Sequence, residues 1–140
     1  MMRIELHSDL DENEIKEKLK SAEIVSEGDY LLIPKNNRFK VYDTEGLIFI
    51  NLEDIAYVEA FDKIVTVYTE HKHYVSLIKL YEYEDEADYF IRISKSVVVN
   101  KHHIQEIRPS LNMKFKLVVN DTLLEVNRTY YYEFKAHIGI

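Results

Sequence analysis

Apolar residues fall along most of this chain in short blocks with a two-residue beat, each closed off by polar turn residues. From residue 39 onward such blocks occupy 39–42, 47–50, 55–60, 64–68, 73–76, 104–108, 114–118 and 123–126. Val, Ile, Tyr and Phe dominate them, and residues of that shape suit a pleated, half-buried strand. Turn chemistry sits between the blocks. Asp43-Thr44-Glu45-Gly46, the 51–54 segment anchored by Leu52 and Ile55, Asp62-Lys63, the 69–72 segment, Pro109-Ser110-Leu111-Asn112 and Asn120-Asp121 all carry it.

Helical spacing is rarer. Ile15, Leu19 and Ala22 predict an amphipathic helix over 10–23, with Asp9 and Glu12 three residues apart as its capping box. Leu77, Leu80 and Tyr81 stand at i, i+3, i+4 and predict a short helix running into the acidic stretch 82–88. Residues 128–136 predict a final turn or two of helix, with Tyr131, Phe134 and Ile138 facing inward. Near the start, 3–6 and 30–34 read as strands, the second stopped by Pro34, and 35–37 as a turn or linker. The pattern predicts a small α/β extension over 1–37 followed by a mostly β domain over 38–140.

The most concentrated stretch is 90–104. Phe90-Ile91-Arg92-Ile93 and Val97-Val98-Val99 read as strands flanking a polar knuckle, Ser94-Lys95-Ser96, and Asn100-Lys101-His102-His103 follows at once. A cation and small hydrogen-bonding side chains on a stiff frame suit a phosphate or a base edge. The same residues also suit a plain hairpin with a solvated lysine at its tip.

This segment resembles the signature of LytTR DNA-binding domains, a strand ending in Phe-x-Arg-Ile-x-x-Ser, then a Val-Asn pair and a following Ile. Phe90, Arg92, Ile93, Ser96, Val99, Asn100 and Ile104 stand in those places. The resemblance extends to Ile55-Ala56-Tyr57-Val58-Glu59-Ala60 upstream and to Val126-Asn127-Arg128-Thr129-Tyr130 downstream, covering roughly 39–138. It implies a mostly β, elongated arrangement of small antiparallel sheets with short helices. It also implies that loops, rather than a recognition helix, enter the major groove and bend the duplex.

Carried over residue by residue, the resemblance makes Ser94, Lys95 and Ser96 the contacting loop of the central motif. Asn100 and Lys101 become its Asn-basic pair, and Arg128 the terminal arginine of the third motif. Asn127 stands where the family commonly has serine, and Ser94 and Lys95 also depart from the usual residues, so the preferred DNA sequence is expected to differ. The first contact loop falls near Lys63. Chemically, Arg128 is suited to bidentate recognition of guanine and Lys95 to guanine or phosphate, with Ser96, Asn100 and Lys101 as positioners. Arg128 also suits a salt bridge capping the last helix. Arg92, inside a strand, is expected to be structural and to pair with a carboxylate from 82–88.

Composition narrows the picture. With 140 residues the chain makes one domain, or one with a small appendage. There is no cysteine, hence neither disulfides nor thiolate metal sites. No apolar run reaches membrane-spanning length and no apolar core follows Arg3, so a cytoplasmic protein that is not membrane-embedded is expected. The net charge of −7 would repel a polyanion if it were evenly spread, but it is not. Residues 1–45 hold 7 basic and 11 acidic side chains, 46–90 hold 3 and 10, and 91–140 hold 8 and 4. The knuckle lies in the only basic third.

Other chemistry is poorly supplied. His71 and His73 would share one face of a strand, but two histidines complete no metal site, and none is expected. No phosphate-cradling glycine loop, nucleophile elbow or zinc-protease helix is present, so neither an enzyme nor a cofactor is expected. The run of Glu and Asp over 82–88 reads as a solvated face that also keeps that side off DNA. Tyr130-Tyr131-Tyr132 suits packing better than base stacking at its spacing from Phe134.

The reading is a stand-alone, response-regulator-like transcription regulator whose partner is double-stranded DNA, carried as direct repeats and bound by a homodimer. Neutralising about four phosphates would give a slope of log K against log salt near −3.6. The 1–37 segment is too short for a receiver domain. The alternative is a protein-interaction module on the same scaffold with weak or no DNA binding, restrained by a small membrane-protein regulator.

Overall fold

A computed structural model describes residues 2–6, 10–19, 22–32 and 38–140. The chain divides into two compact units, Met1–Asn36 and Asn37–Ile140. No helix among the described residues is long and apolar enough to cross a membrane.

The first unit is a parallel sheet. β1 (Met2–Leu6) lies between β2 (Ala22–Ile24) and β3 (Tyr30–Leu32), both parallel to it. Parallel neighbours require a crossover, and α1 (Glu12–Lys18) provides it between β1 and β2. The helix is shorter than its spacing predicts and starts later. Asp11 is the N-cap, its carboxylate accepting from Asn13 N at 2.9 Å and Glu14 N at 3.3 Å. Asp9, the predicted cap, lies outside the described residues. Ala22 pairs in β2 instead of continuing the helix, because the sheet captures it against Met2. Gly28 is required where it stands: a Cβ there would lie 2.8 Å from the Arg3 carbonyl oxygen and 2.9 Å from Glu5 N.

The second unit is mostly β, in antiparallel sheets, with two of the three short α-helices found among the described residues. Its larger sheet contains β4 (Arg38–Asp43), β5 (Gly46–Asn51), β6 (Tyr57–Phe61), β7 (Ile64–Tyr68), β8 (His73–Ser76), β9 (Phe90–Arg92) and β10 (Val97–Asn100). Their order is β5-β4-β8-β7-β6-β10-β9. A three-stranded sheet holds β11 (Glu106–Ser110), β12 (Lys114–Val119) and β13 (Thr122–Val126) in sequence order. Helices α2 (Leu80–Glu86) and α3 (Tyr131–Ile138) complete it, with 3₁₀ turns at Leu52–Asp54, Lys101–His103 and Arg128–Tyr130.

The reason for the Val97-Val98-Val99 run is visible in the core. Val97 and Val99 join Ile91, Ile93, Phe115, Leu117 and Phe134 in one buried cluster, while Val98 joins Phe90, Val58, Leu80 and Tyr83 in another. β10 is therefore covered on both faces and tolerates no polar alternation. α2 lies against one face of the sheet. The three-stranded sheet and α3 lie against the other, where Tyr131 stacks on Phe115 at 4.9 Å and Phe134 is fully buried.

Two predicted details fail. Leu80 is buried on α2 as its spacing predicts, but Leu77 and Tyr81 are exposed and Tyr83 is the helix's other buried residue. The helix begins only at Leu80, where Glu82 accepts from Lys79 N at 2.7 Å, so the helical phase does not reach back to Leu77. Pro109 and Ser110 belong to β11 rather than to a turn, opposite Phe115 and Lys114. β11 is an edge strand, where a residue without an N–H is tolerated. The turn follows as Asn112-Met113, both at positive φ.

Candidate nucleic-acid interface

The knuckle is a short loop closed by its own strands. β9 and β10 pair as Val98↔Arg92, Val99↔Ile91 and Asn100↔Phe90, and Ile93 N donates to Val97 O at 3.1 Å just before the loop. Ser94 is buried and its hydroxyl accepts from Ser96 N at 3.2 Å, so this side chain buttresses the loop from inside. Lys95, between them, is exposed. Arg92 reaches under the loop: Nε donates to Ser94 O at 2.6 Å, Nη2 to Lys95 O at 2.5 Å, and Nη1 to Glu84 Oε2 at 3.3 Å. The expected pairing of Arg92 with a carboxylate from 82–88 is thus present.

Two further segments converge on the knuckle. Asn127 N donates to Ile93 O at 2.9 Å, which pins the start of the Arg128–Tyr130 turn beside the loop and leaves Arg128 exposed on the next residue. The helix-capping salt bridge that Arg128 also suits is not among the ion pairs of the described residues. On the other flank Ala60 N donates to Ser96 O at 2.8 Å, and β6 runs on past the knuckle into the Asp62-Lys63 turn. Both turn residues have positive φ, 49° and 67°, the geometry of a two-residue hairpin turn that follows the twist of its strands. Lys63, Lys95 and Arg128 therefore lie on three neighbouring loops at one end of the sheet. Ser94, Lys95, Ser96 and Asn127 line a shallow depression there, with Glu59 and Glu125 in its wall.

Asn100 and Lys101 are not part of that group. They leave β10 at the end opposite the knuckle, about 13 Å away along a strand of this length. Asn100 is 0% exposed; its Nδ2 donates to Ile55 O at 3.0 Å and Glu53 O at 3.4 Å, and its Oδ1 accepts from His102 N at 2.9 Å. Every polar atom of the side chain is used inside the fold, so a role in touching phosphate is withdrawn. Lys101 opens a 3₁₀ turn and is partly buried, its backbone N donating to Tyr89 O at 2.9 Å. His102 packs against Tyr89 at 5.1 Å and His103 Nε2 lies 2.7 Å from Glu53 O. Among the described residues no three His, Cys, Asp or Glu side chains gather as metal ligands.

Sequence patterning missed the apolar character of the hairpin tip. Phe61 and Ile64 flank Asp62-Lys63 and face each other in register, yet are 79% and 54% exposed. The only signal was position, since large apolar residues directly beside a two-residue turn stand beyond the reach of the core.

With this geometry in place, comparison with known proteins decides the family. The family model for the LytTr DNA-binding domain matches residues 45–139. The chain belongs to the LytTR family. That family is one of DNA-binding domains, not of enzymes. The chain is 32% identical over 131 residues to the sensory transduction protein LytT of Bacillus anthracis, covering 91% of this chain and 50% of that protein. It is 32% identical over 80 residues to the transcriptional regulatory protein LytR of Staphylococcus aureus, covering 55% and 32%. The chain thus spans half or less of these curated relatives. A solved LytTr DNA-binding domain, from a methyl-accepting/DNA response regulator of Bacillus cereus, aligns over its full length and 76% of this chain, with TM-score 0.71 and 28% identity. The converging loops carry three exposed cations, Lys63, Lys95 and Arg128, in a chain whose net charge is −7.

Proposed function

We propose that this protein is a transcription regulator that binds double-stranded DNA sequence-specifically and reads the major groove through loops. The observation that carries the reading is the convergence of Lys95 and Arg128, held on adjacent loops by the Asn127 N to Ile93 O bond at 2.9 Å. Arg128, exposed on the loop, matches the paired acceptors of a guanine edge, and Lys63 and Lys95 supply point charges for phosphate or guanine. Ser94, Ser96 and Asn127 shape the loop backbones, and Lys101, at the far end, contributes at most to a remote phosphate. The relatives named as regulators support the assignment to transcription. A DNA ligand supports the reading of a cytoplasmic protein. A homodimer on direct repeats would give two copies of so small a reading surface enough contact for specificity.

The test is a gel shift on a selected site. Arg128→Ala should lose roughly 1–3 kcal/mol of base discrimination. Binding equal to the parent's would remove Arg128 from the assignment.

A second reading has two observations in its favour. Glu59 and Glu125 line the depression beside Lys95, and the chain as a whole is acidic. Both features suit a protein partner, such as a small membrane-protein regulator. A pull-down whose captured partners all remain on a Glu59→Lys, Glu125→Lys protein would count against it.

A further inference from the structure

Arg92 is the most heavily engaged cation among the described residues, and its three nitrogens bind three different groups. Nε and Nη2 take the carbonyl oxygens of Ser94 and Lys95, at 2.6 and 2.5 Å, and Nη1 takes the carboxylate of Glu84 at 3.3 Å. A planar guanidinium holds two successive carbonyls in a fixed relation that an ammonium cannot reproduce. The side chain is only 20% exposed, and the Glu84 carboxylate offsets its charge. Arg92 therefore has neither a free nitrogen nor an uncompensated charge to offer a phosphate. It points inward.

We infer that Arg92 is a positioning residue that fixes the Lys95 loop for DNA and ties its placement to helix α2 through Glu84. This rests on the reading above, in which Lys95 touches DNA. The carbonyl that Arg92 grips belongs to Lys95 itself, so the bond sets the direction in which the Lys95 side chain leaves the backbone. Glu84 is in turn held by a helix that is anchored from below. Leu80 and Tyr83 are buried, and the Tyr83 hydroxyl lies 2.5 Å from Ser76 Oγ. The loop is thus braced at two carbonyls and one helix before any ligand arrives. Such preorganisation removes an ordering cost that would otherwise be charged to binding.

The experiment is a double-mutant cycle on a duplex selected by the parent protein, with Arg92→Lys, Lys95→Ala and the pair together. Arg92→Lys, which keeps the charge but cannot hold two carbonyls in a fixed relation, should weaken specific binding roughly tenfold. In the Lys95→Ala background the same change should cost almost nothing, because the side chain being positioned is gone. Costs that add, or an Arg92→Lys protein that binds like the parent, would overturn the inference. Glu84→Gln, which keeps the guanidinium, should move affinity the same way by less. Backbone ¹⁵N relaxation provides an arm that needs no DNA. Order parameters at 94–96 should fall in Arg92→Lys while those of β10 stay rigid, and unchanged values would overturn the clamp. If the parent selects no duplex, the DNA reading falls on its own, and relaxation still decides whether Arg92 fixes the loop.

Discussion

Asn100 shows how much a single residue's meaning depends on where the fold puts it. In the sequence it is a polar side chain beside Lys101, indistinguishable from a phosphate contact. In the structure it joins β10 to the Leu52–Asp54 turn through the Ile55 and Glu53 carbonyls and caps the Lys101–His103 turn. Asn100→Ala should destabilise the protein by about 1–3 kcal/mol, since it strands the buried Ile55 carbonyl and removes the partner of the His102 N–H. Denaturant titration would show this, and DNA affinity of the folded fraction should hardly change. Tyr83 makes a second residue-scale prediction. Burial, ahead of its charged neighbours, pushes its hydroxyl up to about 12 from 10.0. The native state therefore keeps a proton that the unfolded chain releases near pH 10, so this stabilisation is complete below about pH 10 and lost as pH rises toward 12. Denaturant midpoints at pH 9, 10 and 11 should fall, and less steeply in Tyr83→Phe. Parallel declines would assign the alkaline loss to other groups.

Strands were far more legible than helices or turn positions. Each apolar block from residue 39 onward overlaps a strand, although β6 and β11 begin two residues into the 55–60 and 104–108 blocks, because strand alternation and the unbroken Val97-Val98-Val99 run report burial on one face or both. The helices were harder, since α1 and α2 have seven residues each and show too few apolar positions to fix a phase. Leu77 and Ala22 matched helical spacing only by coincidence with neighbouring elements. The turn between β11 and β12 was misplaced because Pro109 reads as a breaker anywhere except on an edge strand. That turn now makes its own prediction. Asn112 and Met113 have φ of 63° and 58°, and methionine has no local bond to offset the left-handed strain. Met113→Gly creates the Asn-Gly pair that such turns favour and should raise stability by about 0.5–1 kcal/mol, the left-handed strain relieved exceeding the extra unfolded-state entropy of glycine. A thermal melt below the parent's would contradict the turn geometry.

For the whole molecule, the sequence resemblance identified the family and named candidate loops, while only the structure showed which of those loops share an end of the sheet. Lys63, Lys95 and Arg128 meet there and Lys101 does not, which reduces the expected electrostatic contact from about four phosphates to about three and the salt slope from near −3.6 to roughly −2.7. An acidic body with a small cationic end should also bind DNA weakly at physiological salt unless two copies act together. The most direct measurement is selection from a random double-stranded DNA pool by the purified protein at low salt, repeated at higher salt. Enrichment of a repeated motif, lost in Lys95→Ala and Arg128→Ala, is the expected result. A pool that stays random even at low salt would contradict it.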